Sequence, residues 1–160
     1  MTIKVGDKIP SVSLRRMTPE GPKEVSTDEL FSGKKVVLFA VPGAFTPTCS
    51  ARHLPGFVEK AGEIKSKGVD SVVCLAVNDA FVMDAWGKSQ QCDGKVEMVA
   101  DGSGDFTRAI GLELDATKNG MGKRSQRYAM IVDNGVVKQL NVEKPGTFEV
   151  SSAEHVLSQL

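Results

Sequence analysis

The chain has 160 residues, 41% of them hydrophobic and 25% charged, with 20 Lys and Arg against 20 Asp and Glu. A chain of this length suits one domain, residues 1–160, that buries roughly two thirds of its unfolded surface and needs no metal or disulfide to fold. The balanced charge offers no electrostatic pull toward nucleic acid or an acidic membrane, and no run approaches the ~18 apolar residues of a membrane span. The three cysteines, Cys49, Cys74 and Cys92, contain no Cys-x-x-Cys pair. That pattern argues against a secreted disulfide scaffold, a zinc ribbon and a thioredoxin-type dithiol. The stretch Met1-Thr2-Ile3-Lys4-Val5-Gly6-Asp7-Lys8 lacks the apolar core of a signal peptide, so a reducing, cytoplasm-like compartment is expected.

In chain order, Val36–Val41 is short, apolar and β-branched, the pattern of a strand buried on both faces. Pro42-Gly43 stops it. From Pro47 to about Lys67, Leu54, Phe57, Val58, Ala61 and Ile64 recur at helical spacing. Pro55 predicts a kink or an irregular first turn, and Gly68 ends the helix. Ser71–Val77 reads as a second buried strand, and Asn78-Asp79 can cap a helix over Ala80–Ser89. Val96–Ala100 is a third strand, followed by a turn and a short helix near Phe106–Ile110. Tyr128–Val132 and Val136–Val142 flank Asp133-Asn134-Gly135, a hairpin signal. Ser151-Ser152-Ala153-Glu154 opens a final helix. Alternating strands and helices imply parallel strands, and the closing hairpin adds antiparallel ones. An α/β fold of thioredoxin-like type, with a mixed central sheet flanked by helices, fits this order.

Sites in such sheets collect at the carboxyl ends of strands. Cys49 falls there, eight residues after Val41 and in the first turn of the following helix. Free N–H groups and the partial positive charge of a helix start stabilise a thiolate. Thr46 and Thr48 add hydroxyls that can bond the sulfur or an incoming oxygen. Pro42 and Pro47 fix backbone angles and can shield one side of a pocket. The alternative, on position alone, is a small inert core residue.

The full stretch Pro42-Gly43-Ala44-Phe45-Thr46-Pro47-Thr48-Cys49-Ser50 resembles the active-site signature of the peroxiredoxins, in the type II or peroxiredoxin-5-like branch. The resemblance continues through His53–Phe57, Val77–Asp79, Ala100–Ser103, Gly111–Asp115 and Arg127–Ala129, covering nearly the whole chain. It implies a thiol peroxidase that reduces hydrogen peroxide and organic hydroperoxides through a Cys49 sulfenic acid. Pro42, Thr46 and Arg127 match the family's catalytic proline, threonine and arginine, and Gly43, Phe45 and Thr48 would line the pocket. Read without the resemblance, Lys123, Arg124 and Arg127 form a solvated basic turn. Homodimers through the active-site face, which Phe45 and Phe81 could join, are also implied.

Some members of the branch carry a resolving cysteine near the last helix, where this chain has Ser151 and Ser152. That absence argues against an internal two-cysteine route, and the resemblance to plant type II members implies an external thiol system, glutaredoxin with glutathione or thioredoxin. Cys74 is the remaining candidate for an internal partner, against a reading as a strand packing residue. Cys92, in a polar stretch, is expected to be exposed and without a catalytic role. Cys49-x-x-x-His53 could be half a zinc site, but no second pair completes it, so neither metal nor cofactor is expected. His53 is expected to be structural or pocket-lining. A thiol–disulfide oxidoreductase and a redox relay to a partner protein are the competing functions.

Overall fold

The computed structural model describes residues 2–160. Its strands are β1 (Ser13–Thr18), β2 (Gly21–Ser26), β3 (Lys35–Ala40), β4 (Ser71–Ala76), β5 (Glu97–Ala100), β6 (Glu113–Ala116), β7 (Gly122–Ser125), β8 (Tyr128–Asp133) and β9 (Val136–Val142). Its α-helices are α1 (Thr27–Phe31), α2 (Leu54–Ser66), α3 (Ala80–Ser89), α4 (Asp105–Ile110) and α5 (Ala153–Ser158). Seven strands form one sheet in the order β2-β1-β5-β4-β3-β8-β9, with β6 and β7 paired apart from it. The central β3–β4 and β4–β5 pairs are parallel, and β3–β8, β8–β9, β1–β2 and β1–β5 are antiparallel. This is the mixed thioredoxin-like sheet expected.

Strand alternation divides the core in two. Val37, Phe39 and Val41 of β3 and its end join Val72, Cys74, Ala129 and Ile131 under α2, α3 and α5. Val36, Leu38 and Ala40 join Val73, Leu75, Tyr128 and Met130 on the face covered by α1 and α4. Because both faces are covered, the central strands read as unbroken apolar runs. The β8–β9 turn places Asn134 at φ 48° and Gly135 at φ 77°, the two left-handed residues that a type I′ hairpin requires. Asp79 caps α3 by accepting from Val82 N, and Ser152 caps α5 by accepting from His155 N.

Two expectations are corrected. Cys92 is buried, at 2% exposure, because the chain after α3 folds its sulfur into the core while Gln91, Asp93 and Gly94 face out. Burial pushes its thiol up to about 11. The β1–β2 hairpin, α1 and the β6–β7 pair are additions to the expected elements. In the β1–β2 hairpin only Leu14 and Val25 are buried, so the edge strands carry little apolar alternation.

Phe57 of α2 stacks on Phe39 of β3, with ring centroids 4.0 Å apart. It is fully buried and fixes α2 against the sheet. Phe57→Ala is expected to destabilise the chain by about 3–5 kcal/mol. Urea unfolding should show a lower midpoint with an unchanged slope.

Candidate active site

The helix that carries Cys49 starts at Pro47, where the missing N–H costs nothing, and widens into a π-helical turn over Cys49–His53 before α2. The Leu54 N–H donates to the Cys49 carbonyl, five residues back. Pro55 supplies the reason. It has no N–H for the Ala51 carbonyl, and its ring would clash there in a regular α-helix. The wider turn relieves the clash, and such turns cluster at functional sites. The irregularity expected at Pro55 is therefore present, and its location is the cysteine's own turn.

Neighbouring segments hold this turn. Trp86 Nε1 donates to Ser50 Oγ (3.0 Å) and Gln90 Nε2 to the Ser50 carbonyl (3.2 Å). Ala44 N donates to Asn78 Oδ1 at 2.9 Å, tying the 42–48 loop to the end of β4. Gly43 is buried, and a Cβ there would lie 3.2 Å from Thr46 Cγ2 and 3.3 Å from Met121 Cε. Phe45 sits in the left-handed region at φ 65°, and the residue is 55% exposed. A bulky residue in that conformation is strained.

Cys49 is fully buried, and its sulfur faces the Arg127 guanidinium, with Nη2 donating to Sγ at 3.0 Å. Arg127 immediately precedes β8, whose first residue, Tyr128, pairs with Ala40 at the end of β3. It shares the parity of Ala129 and Ile131, which face α2 and α5. Topology thus brings the end of β3, the cysteine's turn and the arginine to one place. Arg124 goes elsewhere: its Nε donates to the Met121 carbonyl and its Nη1 to the Val77 carbonyl.

Other expected residues take different positions. Neither Thr46 nor Thr48 bonds the sulfur. Thr46 Oγ1 donates to the Gly43 carbonyl at 2.7 Å, which closes the loop and leaves the oxygen's lone pairs as acceptors. Pro42 is half-buried beside the buried Gly43. Cys74 lies in β4, and burial drives its thiol well above the ordinary range, which disfavours its nucleophilic form.

The sequence reading missed the depth of the network around His53. Arg127 Nη1 lies 2.8 Å from His53 Nδ1, and His53 Nε2 lies 2.9 Å from the Ser151 carbonyl. Ser151 N and Oγ both donate to Glu143 Oε2. The ring of Phe148 packs on His53, with centroids 5.0 Å apart, and lies 5.9 Å from the Arg127 guanidinium carbon. Burial, then the Arg127 charge, lowers the His53 pKa from 6.5 to about 3. Burial raises that of Glu143, but donation from Ser151, Glu149 and Val150 outweighs it and holds the value at about 2.

A buried thiol facing an arginine at the carboxyl end of a parallel strand defines a thioredoxin-like protein with a candidate reactive cysteine. The Redoxin family profile matches residues 4–157. The chain is 52% identical to chloroplastic peroxiredoxin-2E of Arabidopsis thaliana, over 99% of this chain and 70% of that protein. It is 54% identical to chloroplastic peroxiredoxin-2E-2 of Oryza sativa subsp. japonica, over 99% of this chain and 73% of that one. The crystal structure of reduced Prx3 from Vibrio vulnificus in complex with hydrogen peroxide superposes with a TM-score of 0.95 at 54% identity, covering 99% of each chain. The chain belongs to the Redoxin family as a type II peroxiredoxin, an antioxidant thiol peroxidase. The expected cytoplasm-like compartment is overturned by the chloroplastic relatives. Sparse cysteines report a reducing environment, and a reducing environment is not confined to the cytoplasm.

The pKa shifts fix the sign of an acid response. Unfolded, His53 takes up a proton near its ordinary 6.5, whereas folded it resists down to about 3. The unfolded chain therefore binds more protons in that window, and stability falls as pH falls through it. The Glu143 contribution is lost in the same direction between its ordinary 4.5 and about 2. Urea unfolding free energies measured between about pH 7 and pH 5 should decline, and His53→Gln should flatten the decline. An unchanged slope in the variant would assign the acid response to other groups.

Proposed function

We propose that Cys49 reduces hydrogen peroxide and small alkyl hydroperoxides, with Arg127 and Thr46 orienting the peroxide and an external thiol regenerating the enzyme. The observation that carries this reading is the 3.0 Å contact between Arg127 Nη2 and Cys49 Sγ. A guanidinium is charged at all physiological pH and offers several donors in one plane. It favours the thiolate and can donate at the same time to a peroxide oxygen.

The thiolate sulfur attacks one peroxide oxygen, and the O–O bond breaks. The departing oxygen leaves with the bonding pair and takes a proton, forming water or an alcohol. Sulfur is oxidised by two electrons to the sulfenic acid, and the peroxide is reduced by two. Charge develops on the leaving oxygen, where Arg127 and backbone N–H groups of the Cys49 turn can meet it. Thr46, whose proton is engaged by Gly43, accepts from the peroxide O–H. Pro42, Gly43, Phe45 and Thr48 shape the loop through which peroxide enters, since Cys49 itself is fully buried.

An external thiol then attacks the sulfenic sulfur, expelling water and leaving a mixed disulfide. A second thiol releases Cys49. The reductant is glutaredoxin with glutathione, or thioredoxin. The absence of cysteine at Ser151 and Ser152 supports this route, and so does the burial of Cys74, which we read as a packing residue. Phe45 and Phe81 are exposed by 55% and 65%, which supports a homodimer through this face.

One equivalent of hydrogen peroxide on reduced protein should add one oxygen by intact mass, and Cys49→Ser should add none. Loss of two hydrogens would instead identify an internal disulfide and defeat the external-thiol route. Arg127→Ala should slow sulfenic acid formation about 10²- to 10³-fold, the usual cost of losing a donor aimed at developing charge. Stopped-flow Trp86 fluorescence measures the rate, and a wild-type rate would remove Arg127 from the mechanism.

A further inference from the structure

The guanidinium facing Cys49 is oriented without a carboxylate. Among the described residues, no Asp or Glu forms an ion pair with Arg127. Its orienting partner is His53, one helical turn beyond the cysteine, at 2.8 Å. A guanidinium can only donate and a carbonyl oxygen can only accept. The two contacts of the imidazole therefore admit one arrangement: Nδ1 is the bare acceptor for Arg127 Nη1, and Nε2 carries the proton given to the Ser151 carbonyl. The ring is a neutral, single tautomer.

We propose that His53 is the positioning residue for peroxide reduction, a neutral acceptor that sets the direction of the Arg127 guanidinium without cancelling its charge. The inference rests on the reading of Arg127 as the residue that orients peroxide. A carboxylate in the same place would also fix the guanidinium, but its negative charge would offset part of the pull on the thiolate. A neutral imidazole gives direction alone.

The surroundings are built to hold that ring. Phe39, Phe57 and Phe148 pack around it at centroid distances of 4.9, 5.6 and 5.0 Å. The Ser151 carbonyl that selects the tautomer belongs to a loop gathered on Glu143. That carboxylate accepts from Thr147 Oγ1, from the N–H groups of Glu149, Val150 and Ser151, and from Ser151 Oγ. Its charge is thus engaged within the loop. The Glu143 N–H also donates to the Arg127 carbonyl at 2.9 Å, so the loop grips both the arginine's backbone and, through His53, its side chain.

A double-mutant cycle tests the assignment on the rate of sulfenic acid formation with hydrogen peroxide. His53→Gln keeps a donor for Ser151 but offers no acceptor at the Nδ1 position. It should slow the reaction roughly 10- to 100-fold, as misplacement of a reacting-site group does. His53→Asn, which can place its amide oxygen near Nδ1, should restore most of that loss. In an Arg127→Ala background, His53→Gln should cost nothing further, because its effect travels through the arginine. A wild-type rate in His53→Gln overturns the proposal, and so does an equal loss in both backgrounds, which marks a general structural role. Arg127→Ala alone reports separately on the parent reading. If His53→Gln does not fold, nitrogen-15 spectra of the wild-type imidazole decide: a proton on Nδ1 overturns the assignment, and a bare Nδ1 sustains it.

Discussion

A cation held against a buried sulfur is the constraint around which this molecule is arranged. Removing a guanidinium from water is costly unless its donors are met, and meeting them with a carboxylate would offset the positive field at the sulfur. Arg127 meets the cost with a set of weaker partners: the Cys49 sulfur, a bare imidazole nitrogen and the nearby Phe148 ring. The sulfur and the imidazole come from one turn, Phe148 from the loop before α5 and Arg127 from the start of β8, so the contact exists only in the complete fold.

The fold supplies those segments through two simple features. Parity along β8 sends Arg127 to the same side as Ala129 and Ile131, toward α2. Antiparallel pairing with β3 sets it beside the strand end from which the cysteine's loop departs. The π-helical turn forced by Pro55 then carries Cys49 and His53 together. A regular helix places residues four apart on one face, and the wider turn changes the angle between them. Pro55, outside the reaction, thereby bears on the geometry of both.

The parts that sequence displays well are those with strong periodicity. The central strands, α3 and the Asn-Gly hairpin lie within a residue or two of where the apolar runs and turn signals put them. The polar edge hairpin β1–β2 and the charged β6–β7 pair carried too little alternation to be read. Cys49 stood out through its position and its motif, and Arg127 through resemblance, since in isolation it is one of three basic residues in a turn. Cys92 was misread because its neighbours are polar, and a local window does not register that a single side chain turns inward. The Glu143–Ser151–His53 chain was hidden for another reason: its members are separated by as many as 98 positions, and a buried, neutral histidine has no local signature.

The same chain bears on how the cycle closes. In some relatives of this branch the loop before the last helix supplies a second thiol. Here Ser151 occupies the corresponding stretch, and its N–H, hydroxyl and carbonyl are all engaged, two with Glu143 and one with His53. A loop committed in this way holds His53 beside Arg127 and brings no sulfur to Cys49. Cys74 is in the same apolar layer as Cys49, but it sits within a paired strand, matched in register with Phe39. Bringing it to Cys49 would require breaking central ladder bonds, whereas moving the 42–48 loop disturbs a surface segment already strained at Phe45. Of the two motions the loop's is the less costly, and under the proposed cycle it would open the buried sulfur to small peroxides and to an incoming thiol alike. Under the proposed cycle, one opening therefore serves oxidation and regeneration, while His53 and Arg127 stay fixed by the rest of the fold.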